Sequence, residues 1–216
     1  MKTNEKQTKS KSRVRDHGEV FTAEREVNAM LDLVKNETER IDSRFLEPAC
    51  GNGNFLIKIL ERKLNVVDGA YKRSQWDWEI HAMVAASSLY GVELLLDNVI
   101  ECQTRLFDYF KQRYKTLYKT KISNGYLENV LYIFQKNIVC GDALTLLQAD
   151  GTPIIFSEWG FAGSKVTRRD FTMSNFLESS QKQSQDTLFD LQPEEKLPVP
   201  VRQYPAVSYL EIKNYA

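Results

Sequence analysis

Three groups of residues in this chain have the types and spacing to hold a small charged ligand: Glu47 with Gly51 and Gly53, Glu93, and Asp142. The first group lies in Phe45-Leu46-Glu47-Pro48-Ala49-Cys50-Gly51-Asn52-Gly53-Asn54-Phe55-Leu56, an apolar strand end running through a glycine turn into a helix. Gly51 and Gly53 carry no side chain, so the chain can turn tightly there and a ligand can lie against bare backbone. The helix opens at Asn54, with Ile57, Ile59 and Leu60 on its apolar face. Free N–H groups at such a start attract a carboxylate or a phosphate. Glu47 decides between the two. A dinucleotide fingerprint needs a third glycine where this chain has Leu56, and an acidic side chain in the turn repels a pyrophosphate while it can hold an ammonium or sulfonium.

That pattern suits S-adenosylmethionine, whose methionine end carries both signs. A glycine pair before a helix is a common turn, but the whole dodecapeptide is more specific. It closely resembles the first motif of the adenine-N6 DNA methyltransferases of restriction-modification systems, roughly Leu-Glu/Asp-Pro-Ala-Cys-Gly-x-Gly-x-Phe. Three more segments follow that family's order. Gly18-Glu19-Val20-Phe21-Thr22-Ala23 is similar to a preceding Gly-x-x-Phe-Thr-Pro motif, with Ala23 in place of proline. Leu89-Tyr90-Gly91-Val92-Glu93-Leu94 reads as a short buried strand ending in an acid, placed to accept hydrogen bonds from two ribose hydroxyls. Asn137-Ile138-Val139-Cys140-Gly141-Asp142-Ala143-Leu144 resembles a third motif whose aspartate accepts from the cofactor's adenine amino group. The resemblance covers roughly residues 17 to 146. It implies cofactor contacts at Phe21, Thr22, Glu47, Pro48, Ala49, Cys50, Gly51, Gly53, Phe55, Glu93, Leu94, Asp142 and Ala143.

The family's catalytic tetrapeptide, Asn/Asp-Pro-Pro-Tyr/Phe/Trp, is missing. The chain has no Pro-Pro, and none of its six prolines follows Asn, Asp or Ser. The segment expected at that place is a strand over Thr152 to Phe156 followed by Ser157-Glu158-Trp159-Gly160. There Glu158 could accept from an amine and Trp159 could stack on a flipped base, or both could be ordinary strand-end residues. The resemblance also implies a target-recognition domain after the catalytic one, for which this sequence leaves no room, so the expectation is either a specificity or catalytic partner subunit or no specificity at all. Lys165, Arg168 and Arg169 form a local basic patch suited to a DNA backbone. Farther on, Gln185-Asp186-Thr187-Leu188-Phe189 resembles the Gln-x-x-Leu-Phe peptide by which bacterial proteins bind the replication sliding clamp, through Gln185, Leu188 and Phe189.

These residues need a frame, and 216 residues suffice for one sizeable core with an appendage. Alternating strands and helices over residues 20 to 160 predict an α/β fold with a mostly parallel sheet and helices on both faces. The resemblance refines this to a Rossmann-like S-adenosylmethionine-dependent methyltransferase fold. Thr22 is the expected N-cap of a helix carrying Val27, Met30, Leu31 and Val34. Residues 64 to 75 read as a polar connection, and Trp76 to Ser88 as a helix with Trp76, Ile80, Met83 and Val84 inward. Residues 97 to 121 read as a long helix with Val99, Cys102, Leu106, Phe110, Tyr114 and Leu117 inward. The expected organisation is a disordered basic arm over 1–15, a methyltransferase-like domain over 16–177 and a flexible tail over 178–216. Lysine plus arginine number 29, as do aspartate plus glutamate, so DNA contact must come from local patches. Three scattered cysteines suit a reduced, cytoplasmic setting, two histidines make a histidine metal site improbable, and no apolar run spans a membrane. The reading is a DNA methyltransferase-like protein of the adenine-N6 type from a restriction-modification system, either a modification enzyme with a variant catalytic loop or one half of a split enzyme, or, alternatively, an inactive nucleoside-binding protein that recruits DNA or a partner.

Overall fold

A computed structural model describes residues 8–17, 19–119, 121–177 and 198–215. Three short strands, β1 (Phe45–Glu47), β2 (Leu89–Glu93) and β3 (Ile138–Cys140), pair in parallel in the order β1-β2-β3, with Leu46 opposite Tyr90 and Val92 opposite Val139. Helices α4 (Asn54–Tyr71) and α5 (Gln75–Ser87) connect β1 to β2, and α6 (Leu96–Tyr118) and α7 (Asn124–Asn137) connect β2 to β3. Side chains alternate across the strands. Phe45, Leu89, Ile138 and Cys140 face the helices, while Leu46, Tyr90, Val92 and Val139 face a second apolar cluster.

That second cluster is where the structure departs from the expected helices on both faces. It is built from Phe156 and Phe171 of an antiparallel sheet, Ile154 just before that sheet, and Met173 and Phe176 of a helical turn over 173–177. The sheet comprises β4 (Ile155–Ala162), β5 (Lys165–Thr172) and β6 (Arg202–Ser208), joined between β4 and β5 by a hairpin at Gly163-Ser164. The reason is topological. Strands added in one direction, with crossovers of one hand, put every connecting helix on the same face. The described fold is therefore mixed α/β, with three parallel and three antiparallel strands.

Other expectations shift for local reasons. Residues 64 to 71 belong to α4, because Leu64 and Val67 continue its buried stripe. In α5, Trp78 is buried and Trp76 is exposed; Ser74 caps the helix by accepting from the Asp77 N–H at 3.3 Å. The N-cap of α2 (Glu24–Asp32) is Ala23 instead of Thr22, and the Glu26 carboxylate reaches back to the Ala23 N–H at 3.3 Å. Overlapping the expected disordered arm, Lys11–His17 form helix α1, and Lys9 and Arg13 find carboxylate partners. Part of the expected flexible tail, Arg202–Ser208, is β6, paired to β5. Two cations of α6 are tied to neighbouring segments: Arg105 donates to Asn52 O at 2.6 Å and Arg113 to Asp68 at 2.6 Å. Among the described residues no helix is long and apolar enough to cross a membrane.

Between α4 and the amino ends of the strands, Lys63 is fully buried. Its Nζ donates to Ile41 O at 3.3 Å, to Ser43 O and to Ser88 Oγ at 2.5 Å, and lies under the Phe45 ring. Burial pushes its pKa down to about 7. Between that value and the ordinary 10.5 the unfolded chain holds the extra proton, so this group's contribution to stability rises with pH across that window. Stability measured by urea unfolding should climb from pH 7 to 9 by on the order of 1 kcal/mol per pH unit more in the wild type than in Lys63→Met. Parallel pH profiles for the two proteins would contradict this placement of Lys63.

Candidate functional site

At the carboxyl ends of β1, β2 and β3 lies a cavity of about 620 Å³, within the usual range for a small-molecule site. Four segments line it: residues 19–22 before α2, the β1–α4 turn, the β2–α6 turn with Asn98, and residues 141–144 after β3.

The β1–α4 turn is fixed by its neighbours. Cys50 N–H donates to Val92 O at 2.9 Å, Gly53 N–H to Cys50 O at 2.8 Å, and Gly51 N–H to Glu93 Oε2 at 2.9 Å. Gly51 and Gly53 take φ values of +52° and +89°, a region that favours glycine. A Cβ on Gly53 would stand 2.6 Å from Cys102 Sγ, and one on Gly51 3.2 Å from the Phe21 ring. Phe21 therefore covers the turn, held there by Asn54 Nδ2, which donates to Thr22 O at 3.0 Å. Arg105 ties the turn to α6 by donating to Asn52 O and, at 3.0 Å, to Asn54 Oδ1. Asn52 Oδ1 is buried with no hydrogen-bond partner among the described residues, while its Nδ2 donates to Glu101 at 3.0 Å.

The second Glu93 oxygen accepts from Leu95 N–H at 3.0 Å and from Asn98 Nδ2 at 3.4 Å. At the β3 exit, Gly141 N–H donates to Glu93 O at 3.0 Å, and Asp142 Oδ1 accepts from Leu144 N–H at 2.8 Å, which turns its carboxylate along the loop. Burial raises the pKa of Glu47 above the ordinary carboxylate value, against a backbone hydrogen bond from Ala49. Among the described residues the lining thus contains four carboxylates, Glu19, Glu47, Glu93 and Asp142, and no lysine, arginine or histidine.

Phe21, Thr22, Glu47, Pro48, Ala49, Cys50, Gly51, Phe55, Glu93, Leu94, Asp142 and Ala143 all line this cavity. Gly53 does not; it serves the turn from behind, against Cys102. Glu19 and Asn98 are lining residues that the sequence reading passed over. Asn98 had a signal: it begins the α6 stripe that continues through Cys102, Leu106, Phe110 and Tyr114, all buried, and a polar residue on such a stripe needs a polar partner.

Glu158 and Trp159 are not brought to the cavity. They sit inside the β4–β5 hairpin instead of at a strand tip, and line a separate cleft of about 260 Å³ with Arg44, Ser88 and Tyr90 at the amino ends of β1 and β2. Glu158 pairs with Arg44 at 3.0 Å and with Arg169, and the Trp159 indole donates to Asn137 Oδ1 at 3.0 Å. Of the expected DNA-contacting residues, Lys165 and Arg169 are exposed, whereas Arg168 is buried beside Asp170 at 2.6 Å and over the Tyr204 ring. Gln185, Leu188 and Phe189 lie outside the described residues.

Comparison with protein-family models, with curated proteins and with solved structures finds no match. The chemistry of the cavity is read from its own residues. A ligand there meets hydrogen-bond acceptors and negative charge on the walls, with the N–H groups of the α4 start as the main anion-binding donors.

Replacing Gly53 with alanine should lower stability by about 2–4 kcal/mol, through its left-handed φ and the collision with Cys102. Adding Cys102→Ala should recover only part of the loss, since the backbone strain remains. Thermal unfolding of the single and double variants checks this, and a Gly53→Ala protein as stable as the wild type would contradict the geometry.

Proposed function

We propose that the cavity binds S-adenosylmethionine and that the chain is a DNA methyltransferase-like protein of the adenine-N6 type from a restriction-modification system, acting as one half of a split enzyme. The observation that carries the reading is the charge of the lining: among the described residues four carboxylates and no cation, with a helix start beside them. A pyrophosphate would meet these carboxylates with no lysine or arginine on the described face of the cavity; Arg13 offsets Glu19 alone, from behind. A nucleoside with a sulfonium and a zwitterionic amino-acid end fits each of these groups. The ribose hydroxyls donate to Glu93, the adenine amino group donates to Asp142, and the ligand carboxylate meets the N–H groups opening α4. Glu47 faces the cationic end, and Phe21 and Phe55 supply apolar wall. The parallel order β1-β2-β3, with the glycine turn after β1, supports a Rossmann-like methyltransferase fold for this half of the molecule.

When bound, the cofactor supplies an electrophilic methyl group. What this chain contributes is placement: the β1–α4 turn and Glu93 hold the nucleoside, and Phe21 shields it from water. In this reading the groups that receive a flipped adenine come from a partner subunit, the exposed Lys165 and Arg169 meet the DNA backbone, and the setting is the cytoplasm. The placement of Glu158 and Trp159 away from the cavity favours a second reading, a catalytically inactive S-adenosylmethionine-binding protein that recruits DNA or a partner.

Calorimetric titration separates this cavity from a dinucleotide site. The wild type should bind S-adenosylmethionine with a Kd in the micromolar range and nicotinamide adenine dinucleotide at least about 100-fold more weakly. The reverse order would overturn the reading. Tritiated methyl transfer to DNA, with and without a candidate partner subunit, then distinguishes the split enzyme from the inactive binder.

A further inference from the structure

Between the basic arm and the cavity lies a continuous set of polar contacts. Arg13 donates through Nε and Nη2 to the two Glu19 oxygens at 2.7 Å each, and through Nη1 to Asp97 at 2.7 Å. Lys9 pairs with Glu101 at 2.5 Å and donates to Asn98 Oδ1 at 2.6 Å. The Asn98 amide nitrogen faces the other way, donating to Glu19 Oε1 at 2.6 Å and toward Glu93 Oε1. Asn98 and Glu19 are both buried and both line the cavity.

We infer that Lys9 and Arg13 are positioning residues for the nucleoside site: they fix Asn98 and Glu19, and through them the Glu93 carboxylate, in the arrangement that receives the ribose. This rests on the nucleoside reading of the cavity. Lys9 decides the orientation of the Asn98 amide, because with its oxygen on Lys9 the amide nitrogen is left for the two carboxylates. The flipped amide would set its oxygen against Glu19 and Glu93. Arg13 decides the charge. Glu19 and Glu93 accept from the same nitrogen, and without the guanidinium two negative groups would share one donor. Arg13 correspondingly lowers the pKa of Glu19 and holds that of Asp97 down, at about 2. The arm's paired lysine and arginine are therefore spent on the cavity wall.

The test uses S-adenosylhomocysteine as the probe. It carries no net charge, so a change in its affinity reports geometry and not long-range attraction to the extra carboxylate. Calorimetry on the full chain should show Arg13→Gln raising Kd about tenfold and Lys9→Gln about threefold, with Arg13→Lys within about threefold of the wild type. Arg113→Gln is the control for stability alone. It breaks the ion pair from α6 to Asp68 of α4, remote from the cavity, and should lower Tm without moving Kd. The inference is overturned if Arg13→Gln and Lys9→Gln bind as the wild type does, or if Arg113→Gln weakens binding as much as Arg13→Gln. A wild type that binds neither S-adenosylhomocysteine nor S-adenosylmethionine would instead remove the nucleoside reading, and this inference with it.

Discussion

The structure around the cavity hangs on one carboxylate. Glu93 accepts the Gly51 N–H on one oxygen and the Leu95 N–H on the other, so a single side chain closes both the β1–α4 turn and the start of α6. Its carbonyl holds Gly141 as well, which brings the third strand exit to the same point. Backbone N–H groups at turns and helix starts lack partners of their own, and a buried one without a partner costs free energy. Placing an acid at the tip of the central strand satisfies two of them at once. The sequence around it conforms. Gly51 and Gly53 adopt the left-handed region, and Gly91 clears the way for the turn, since a Cβ there would stand 2.9 Å from Cys50 Sγ.

This tie bears on ligand recognition. A carboxylate already fixed by two backbone donors keeps lone pairs for further hydrogen bonds and does not have to be ordered when a ligand arrives. The same preorganisation extends outward through Asn98 to Glu19, Arg13 and Lys9. Negative charge on the wall is thus balanced from behind, by Arg13 at Glu19, while the face toward the cavity stays acidic.

The sequence disclosed this site more readily than the rest of the fold because its residues are local and their types are constrained by backbone geometry. Two glycines two apart after an apolar strand, an acid at a strand end and an aspartate after a third strand can each be recognised within a few residues. What escaped depends on contacts between distant segments. Glu158 and Trp159 look like a strand tip until β5 and β6 are paired beside them, although Gly163-Ser164 between two alternating runs was a hairpin signal. Arg168 looks like part of a surface patch until Asp170 is seen on the same strand face and Tyr204 under its guanidinium. Trp76 and Trp78 are two residues apart on one helix, and only the packing of Trp78 against Phe110 and Tyr114 shows which of them is core. Nothing near Lys9 and Arg13 in the sequence marks their partners, because Asp97 and Glu101 lie more than 80 residues away.

The central claim is that Glu93 and the glycine turn form the floor of a nucleoside site at the carboxyl edge of the parallel sheet. A crystal structure of the full chain with S-adenosylmethionine tests it most directly. The account predicts both ribose hydroxyls within about 3 Å of the Glu93 carboxylate, the adenine amino group at Asp142, and no displacement of the Gly51 N–H from Glu93. Electron density for the ligand in the cleft beside Arg44 and Glu158, or in the cavity with its ribose turned away from Glu93, would contradict it.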